Sequence, residues 1–241
     1  GMKKQRIKFS SVYLAVILFL TYVPILLTVI YSFNASKLTS VWEGFSLKWY
    51  QELFRDGDTL ESGKNTLILA CSASAIATVM GTAASVGINK LRNKYVRASF
   101  DTVTNIPMTN PDIITGISLM LMFVFVGQLF GMATSLSFWT MLIAHITFCL
   151  PYVILQVLPK LQQMDPSLPE AAMDLGCTQL RAFFRVEIPE ILPGVITGML
   201  MAFTLSLDDF VVSYFTTSPL VQNLSTLIYS KARIGIEPSL N

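Results

Sequence analysis

Two adjacent aspartates lie within an apolar stretch near the end of the sequence. Asp208 and Asp209 are followed directly by Phe210 and, four residues later, by Tyr214. Translocon insertion scales assign about 2.5–3.5 kcal/mol to an aspartate at the centre of a membrane-spanning helix, so such a residue normally faces a cavity or a partner charge. Carboxylates attract cations, and aromatic faces bind ammonium groups. These four residues therefore predict a path for a cationic solute; the alternative is that the aspartates cap or brace a broken helix.

Residue types that carry enzyme chemistry are sparse in the rest of the chain. The three cysteines, Cys71, Cys149 and Cys177, are far apart, and no CxxC or His/Cys spacing of a metal site occurs. The single histidine, His145, lies in an apolar run, and we interpret it as a hydrogen-bonded residue of a helix bundle. An intramembrane enzyme would need a nucleophile–base or metal-ligand set at one depth, which these residues do not supply. The GxxxxGK[ST] phosphate loop is absent from the sequence, so we predict that this chain binds neither ATP nor another cofactor.

The composition is that of a membrane protein. Hydrophobic residues make up 53% of the chain and charged residues only 13%, whereas soluble domains carry about 25% charged residues. A helix needs about 20 apolar residues to cross the hydrocarbon core. The predicted spans are residues 11–33, 65–88, 106–130, 136–158 and 191–216. None of them contains a lysine or arginine, so a charged partner for the aspartates within the spans of this chain is not expected.

The distribution of basic residues predicts the orientation. Lysine and arginine are concentrated in residues 3–8, 90–97 and 160–185, which all fall on one side of a five-span topology. Such residues mark the cytoplasmic side. We therefore predict a cytoplasmic N-terminus and a cytoplasmic loop at residues 159–190. The tail, residues 217–241, then lies outside; it is too charged for a further span and suits a short interfacial helix.

The loop at 159–190 has the pattern of a rigid helix–turn–helix elbow. Ser167 and Glu170 have the spacing of a capping box, and Gly176 suits a left-handed position that ends the first helix. Thr178 can then cap a second helix over residues 179–187. Pro189 and Pro193 are expected to interrupt the chain where it returns to the membrane.

This loop resembles the EAA loop of bacterial ABC importer permeases. The resemblance rests on Glu170-Ala171-Ala172, Gly176, Phe183 and Ile188-Pro189. It implies an all-α, polytopic transmembrane bundle of the type I importer kind, with one permease domain over residues 1–241. It also implies that the short helix docks in a groove of an ATPase subunit. By resemblance the coupling residues are Glu170, Ala171, Ala172, Asp174, Gly176, Phe183 and Pro189. Cys177, where the family often has alanine, is a minor departure.

The sequence is also similar to the polyamine branch of these permeases, specifically to the C-type permease subunit of spermidine/putrescine importers. The similar segments are Tyr22-Val23-Pro24, Tyr31-Ser32-Phe33-Asn34, Asn65-Thr66 and Ser206-Leu207-Asp208-Asp209-Phe210. The resemblance implies a heterodimer with a second permease subunit, two cytoplasmic ATPase subunits that bind ATP and Mg²⁺, and a periplasmic polyamine-binding protein. Members typically have six spans; this sequence carries five.

The prediction is therefore a permease subunit that moves spermidine or putrescine across the bacterial inner membrane by alternating access. Two alternatives remain open. The same machinery could carry another small solute, such as a different organic amine or a metal complex. A passive channel or membrane scaffold is the other, and in that case the cytoplasmic elbow would be dispensable.

Overall fold

Helices dominate the computed structural model, which describes residues 2–36, 41–91, 93–131, 136–218 and 221–234. The helices are α1 (Met2–Ser32), α2 (Lys48–Leu53), α3 (Gly57–Lys90), α4 (Lys94–Thr109), α5 (Asp112–Leu129), α6 (Phe138–Gln163), α7 (Ser167–Asp174), α8 (Gln179–Ala182), α9 (Ile188–Asp208), α10 (Val211–Thr216) and α11 (Leu224–Ile234), with a π-helical segment, Phe183–Glu187, between α8 and α9. The predicted all-α fold class is confirmed. The single domain over 1–241 stays a prediction; the chain divides into two compact units, residues 1–61 with 227–241, and residues 62–226.

Five helical stretches within the described residues are long and apolar enough to cross a membrane. They are Ser11–Ser32, Gly57–Lys90, Asp112–Leu129, Phe138–Gln163 and Gln179–Asp208. All five overlap the spans predicted from the sequence.

The start predicted for the third span, residue 106, is wrong. Asn110 leaves the helical conformation (ψ 135°), so α4 ends at Thr109 and α5 begins at Asp112. The physical reason is Pro111, because a residue that precedes proline is displaced from the helical region. The basic stretch at 90–97, expected as a loop, leads into α4 instead, since the Asn93 side chain caps that helix by accepting hydrogen bonds from the first-turn amides.

The first unit contains a helix whose apolar part is exposed. The most apolar 18-residue window of α1, within Ser11–Ser32, is 0% buried within this chain. Apolar side chains exposed all round a helix are expected where lipid or another subunit surrounds it. Just after the C-terminal end of α1, the backbone is held by a hydrogen bond from Trp49. Trp49 is buried, and its indole Nε1 donates to the Asn34 carbonyl oxygen at 2.8 Å. In the same unit Lys231 Nζ pairs with Asp56 Oδ2 at 2.5 Å.

The second unit is built around α6, whose most apolar window is 61% buried. Small residues let its neighbours approach closely. A Cβ added at Gly194 of α9 would lie 2.7 Å from the Gln156 carbonyl oxygen of α6, so only glycine fits there without a shift. Ala73 and Ala77 of α3 are fully buried, so small side chains let the second span pack into the bundle. Because α9 packs on α6, it fixes the position of the two chain segments that it joins, the one before Ile188 and the one after Asp208.

Candidate functional site

The predicted fifth span is not one continuous helix. α9 ends at Asp208, Asp209 is extended (φ −66°, ψ 124°), and α10 begins at Val211. The predicted fifth span, residues 191–216, is thus interrupted at Asp209, as the broken-helix alternative for the two aspartates allowed. We call residues 206–213 the acidic break.

The carboxylate of Asp209 explains why the chain breaks here. Its Oδ2 accepts a hydrogen bond from the Ser213 amide at 2.8 Å, and its Oδ1 accepts one from the Val212 amide at 3.3 Å. These are first-turn amides of α10, which otherwise have no helical partner. The Asp209 side chain is only 6% exposed. Asp209 thus has the geometry of the alternative role predicted for the pair, a brace for a broken helix.

Asp208 differs from its neighbour because its side chain is exposed. The nearby rings of Phe210 and Tyr214 have centroids 5.4 Å apart, and Tyr214 is half exposed. The four predicted path residues lie in one short segment of the chain, and the structure exposes the Asp208 carboxylate while it buries that of Asp209. Their role in a substrate path stays a prediction.

His145 of α6 lies against the acidic break and is fully buried. Its Nδ1 is 2.8 Å from Ser206 Oγ of α9, and its Nε2 is 2.9 Å from Ser213 Oγ of α10. Nε2 also lies 3.6 Å from Asp209 Oδ2. One imidazole thus bridges the helices on both sides of the break. The prediction of a hydrogen-bonded bundle histidine is confirmed.

Asn223 extends this buried polar cluster. Its side-chain Nδ2 donates to Ser213 Oγ at 2.7 Å, and its Oδ1 accepts from the Thr226 amide at 3.0 Å, which caps α11. Sequence reasoning did not find Ser206, Ser213 or Asn223 as functional candidates. The available signal was that two serines flank the aspartate pair while a single histidine in an apolar run must find hydrogen-bond partners.

The elbow, residues 165–190, turns at Gly176. Gly176 has φ +89°, its amide donates to the Met173 carbonyl at 2.9 Å, and the Cys177 amide donates to the Ala172 carbonyl at 3.0 Å. This pair of bonds is a Schellman motif, which satisfies the last carbonyls of α7. Thr178 Oγ1 then accepts from the Arg181 amide at 3.4 Å and caps α8. Both predictions, for Gly176 and for Thr178, are confirmed.

The start of the elbow is capped differently from the prediction. Ser167 lies inside the first turn of α7, and no capping box forms with Glu170. Instead Asp165 Oδ1 accepts from the Ser167 amide at 2.9 Å and from Ser167 Oγ at 2.8 Å. These hydrogen bonds stabilise the carboxylate and lower the pKa of Asp165 below its ordinary value. The prediction of a capping box was wrong because the Asp165 carboxylate, two residues before Ser167, is a better hydrogen-bond acceptor than the serine hydroxyl.

The surface of the elbow is apolar and exposed. In α7, all of whose residues the structure describes, no side chain is buried. The exposed apolar side chains of the elbow are Leu168 (42%), Met173 (41%), Leu175 (88%), Leu180 (72%) and Phe184 (64%). Phe183 is partly buried, and Lys90 Nζ lies 5.9 Å from its ring centroid. Glu170, Ala171 and Asp174 are exposed and Ala172 is partly buried. An exposed apolar patch on a structured element is typical of a surface that contacts another protein.

The elbow joins the membrane-spanning part without an interruption. The π-helical segment Phe183–Glu187 leads directly into α9, and Pro189 lies in the first turn of that helix. Pro189 and Pro193 therefore do not break the chain as predicted. The helical stretch Gln179–Asp208 continues through both prolines, with Pro189 directly after the π-helical segment and Pro193 inside α9.

The comparison with known proteins decides the family. The family described as "Binding-protein-dependent transport system inner membrane component" matches residues 73–232, more than half of the chain. The chain belongs to this family. It is accordingly an inner-membrane permease subunit of an ABC importer, a transport subunit that works with a partner permease, an ATPase on a separate subunit and a periplasmic binding protein.

Its relatives are transport permeases as well. The chain is 42% identical over 221 residues to the putrescine transport system permease protein PotI of Escherichia coli (strain K12), covering 91% of this chain and 78% of that protein. It is 34% identical over 220 residues to the spermidine/putrescine transport system permease protein PotC of the same strain, covering 91% of this chain and 81% of that protein. The predicted resemblance to polyamine permeases is confirmed.

A solved structure shares the fold. The permease is similar to a chain in the crystal structure of a bacterial ABC transporter involved in the import of the acidic polysaccharide alginate, with a TM-score of 0.78 and 16% identity over 99% of this chain and 88% of that chain. A second structure of an alginate transporter, in complex with a periplasmic protein bound to an alginate pentasaccharide, matches equally well. The type I permease fold is thereby confirmed.

Proposed function

We propose that this permease moves putrescine, and with it spermidine, from a periplasmic polyamine-binding protein into the cytoplasm. The observation that carries the proposal is the identity of 42% over 91% of the chain to a putrescine transport permease. The relative that transports spermidine and putrescine is less similar, at 34%. Putrescine is therefore the first substrate to test.

The chemistry of the acidic break fits a polyamine. Polyamines carry several ammonium groups, and Asp208 has an exposed carboxylate, while Phe210 and Tyr214, two and six residues further along the chain, pair their rings at 5.4 Å. A carboxylate attracts the ammonium group by charge, and the aromatic faces add cation–π attraction. In this proposal Asp208, Phe210 and Tyr214 contact the substrate, and Asp209 contributes negative charge from its buried position.

The elbow is the proposed coupling surface. Its exposed apolar side chains would dock on one of two cytoplasmic ATPase subunits, with Glu170, Asp174 and Gly176 shaping the first helix and turn. This requires a cytoplasmic elbow and N-terminus, which the basic residues at 90–97 and 160–185 support through the positive-inside rule. Closure of the ATPase dimer on ATP would push the elbow, and the continuous helix from α8 into α9 would carry that displacement towards the acidic break.

The test is uptake of radiolabelled putrescine into proteoliposomes that hold the assembled complex, with ATP inside and the loaded binding protein outside. We expect ATP-dependent uptake that falls about tenfold or more in Asp208→Asn, because a charge-assisted interaction is worth about 1.5–3 kcal/mol. Thr204→Val is the matched control, since Thr204 lies one turn earlier on the same exposed face of α9 and carries no charge.

The outcomes separate the parts of the proposal. Uptake without ATP dependence would contradict an importer role for the complex. ATP-driven uptake that is equal in Asp208→Asn and the unmodified chain would retain the substrate but remove Asp208 from the path. No uptake of putrescine or spermidine by an assembled, ATP-hydrolysing complex would reject the polyamine assignment and leave another small solute as the cargo.

A further inference from the structure

In the last turn of α9, Ser206 lies on the buried face and Asp208 on the exposed face. Ser206 is fully buried and is hydrogen-bonded to His145, whereas Asp208 is exposed. Side chains two positions apart on an α-helix are separated by about 200° around its axis. Holding Ser206 against α6 therefore turns Asp208 to the opposite side of α9.

The same imidazole holds the other side of the break. His145 Nε2 is bonded to Ser213 Oγ, and Ser213 is fully buried in α10. Ser213 also carries the amide that Asp209 Oδ2 accepts from at 2.8 Å. His145 thus fixes both ends of the extended segment, and the position of Ser213 determines where the Asp209 carboxylate is bound.

We propose that His145 is a positioning residue for substrate recognition: by holding Ser206 and Ser213 it keeps Asp209 turned inward as a helix brace and Asp208 turned outward as the carboxylate that meets the cation. This inference rests on the proposed function for its substrate, but the geometry it describes does not depend on the solute. It assigns the two adjacent aspartates different tasks.

An imidazole suits this position because its two nitrogens lie on opposite sides of one rigid ring. Each can make a hydrogen bond to a different helix, and the ring is too buried to exchange these partners for water. Leucine has a comparable size but no polar atom. Glutamine places an amide near the position of Nε2 and can retain the bond to Ser213 while losing the bond to Ser206.

The first experiment is a double-mutant cycle on putrescine uptake that combines His145→Leu with Asp208→Asn. If His145 acts through the orientation of Asp208, the loss caused by Asp208→Asn is about tenfold or more with His145 present and less than about twofold in the His145→Leu background, because coupled residues give non-additive effects. His145→Gln is expected to recover part of the uptake. Equal fold-losses in both backgrounds would overturn the proposal and leave His145 with a purely structural role.

A second experiment is independent of the transported solute. Single cysteines replace Asp208 or Thr204 in a chain whose three native cysteines are substituted, and their rates of reaction with a cationic thiosulfonate reagent are compared in the assembled complex. With His145→Leu we expect the rate at position 208 to fall about fivefold, as the loss of a buried hydrogen bond allows the last turn of α9 to rotate. The rate at position 204, which lies before the Ser206 contact, should change less than twofold.

A control variant separates loosening of the break from loosening of the bundle. Thr140 Oγ1 of α6 donates to the Thr216 carbonyl of α10 at 2.9 Å, so Thr140→Val removes an α6–α10 bond away from the break. We expect it to leave the ratio of the rates at 208 and 204 unchanged. An unchanged ratio in both His145→Leu and His145→Gln would overturn the inference even if putrescine uptake fails for the unmodified complex. If His145→Leu does not assemble, His145→Gln carries the same two tests.

Discussion

The elbow and the acidic break are both places where helical structure stops and restarts, and α9 connects them. In the elbow the chain turns at Gly176 with hydrogen bonds that span five residues or fewer. In the acidic break Asp209 also bonds locally to the Val212 and Ser213 amides, but further bonds come from distant parts of the sequence: His145 and Ser206 are 61 residues apart, and His145 and Ser213 are 68 residues apart. The elbow turn is held by local bonds, whereas the break depends in addition on the packing of the bundle.

The elbow and the acidic break also differ in which side chains they expose and which they bury. The elbow exposes apolar side chains such as Leu175 and Leu180, which are 88% and 72% exposed. The acidic break buries polar side chains, with His145, Ser206, Ser213 and Asn223 all fully buried. Apolar atoms facing water favour contact with another protein, whereas a satisfied buried polar cluster favours one specific arrangement of helices.

The difference fits the proposed function, in which the elbow receives a push and the break lines the path. Because the elbow is held by local bonds, we expect it to keep its shape and move as a rigid unit. Because bonds to His145 and Asn223 join the break to distant parts of the chain, we expect these bonds to rearrange together when the break changes shape.

The largest effect is expected for Gly176→Pro in the elbow. Proline fixes φ near −65°, far from the +89° of Gly176, and it lacks the amide that donates to the Met173 carbonyl. We expect putrescine uptake to fall by about 100-fold or more, because proline can neither adopt the positive φ nor donate the bond to Met173, and the Schellman turn is lost. Gly176→Ala, which keeps the amide, should lose less; equal losses would contradict the Schellman turn as the rigid part.

The next largest effect is expected for a substitution on the exposed apolar face of the elbow. Leu180→Asp places a charge on a side chain that is 72% exposed and belongs to the proposed coupling surface of the elbow. We expect the affinity of the permease for the ATPase subunit to fall about tenfold or more, since an apolar anchor at a protein interface contributes on the order of 2 kcal/mol. This affinity is measured by a pull-down in which detergent-solubilised permease captures the ATPase subunit at increasing concentrations of the ATPase. The thermal stability of the permease should not change, and Gln179→Asp is the control for added charge on the same helix.

A substitution in the acidic break should lower the stability of the permease without weakening its binding to the ATPase subunit. Ser213→Ala removes the hydroxyl shared by His145 and Asn223 and leaves their facing atoms without that partner. Hydrogen bonds between membrane-spanning helices are worth about 0.6–1.7 kcal/mol, and we expect a loss of unfolding free energy in that range. Differential scanning fluorimetry of the complex measures it, while binding of the ATPase subunit stays unchanged. Weaker ATPase binding in Ser213→Ala would mean that the two regions are not separable.

The same contrast explains which features the sequence could predict. Gly176 and Thr178 were predictable because a left-handed turn and a helix cap are decided by residues within a few positions of one another. The break at Asp209 could be predicted only as an alternative, since the continuous apolar pattern of 191–216 indicates a helix, whereas an aspartate can also cap a new one, as Asp209 does for the Val212 and Ser213 amides. The partners of His145 lie more than 60 residues away, and a single sequence contains no local signal for that pairing.

The error at Ser167 has a different cause. Ser-x-x-Glu is a valid capping pattern, but Asp165 offers a charged acceptor two residues earlier and the chain uses it. The Asp165 carboxylate accepts from the Ser167 amide and hydroxyl, and Ser167 then lies inside the first turn of α7 rather than capping it. The choice is local, yet residue types alone do not settle it.

The smallest effect is expected from protonation of Asp165. Its pKa is lowered because it accepts hydrogen bonds from the Ser167 amide and hydroxyl. A depressed carboxyl pKa means that its support for α7 is fully present above the ordinary aspartate pKa and is lost as the pH falls through the lowered value. Hydrogen exchange of the Ser167 amide should therefore show protection that disappears only on strong acidification. Asp165→Asn, which still accepts a hydrogen bond but does not titrate, should show no such pH dependence. A matching loss in the asparagine variant would mean that other groups control the first turn of the elbow.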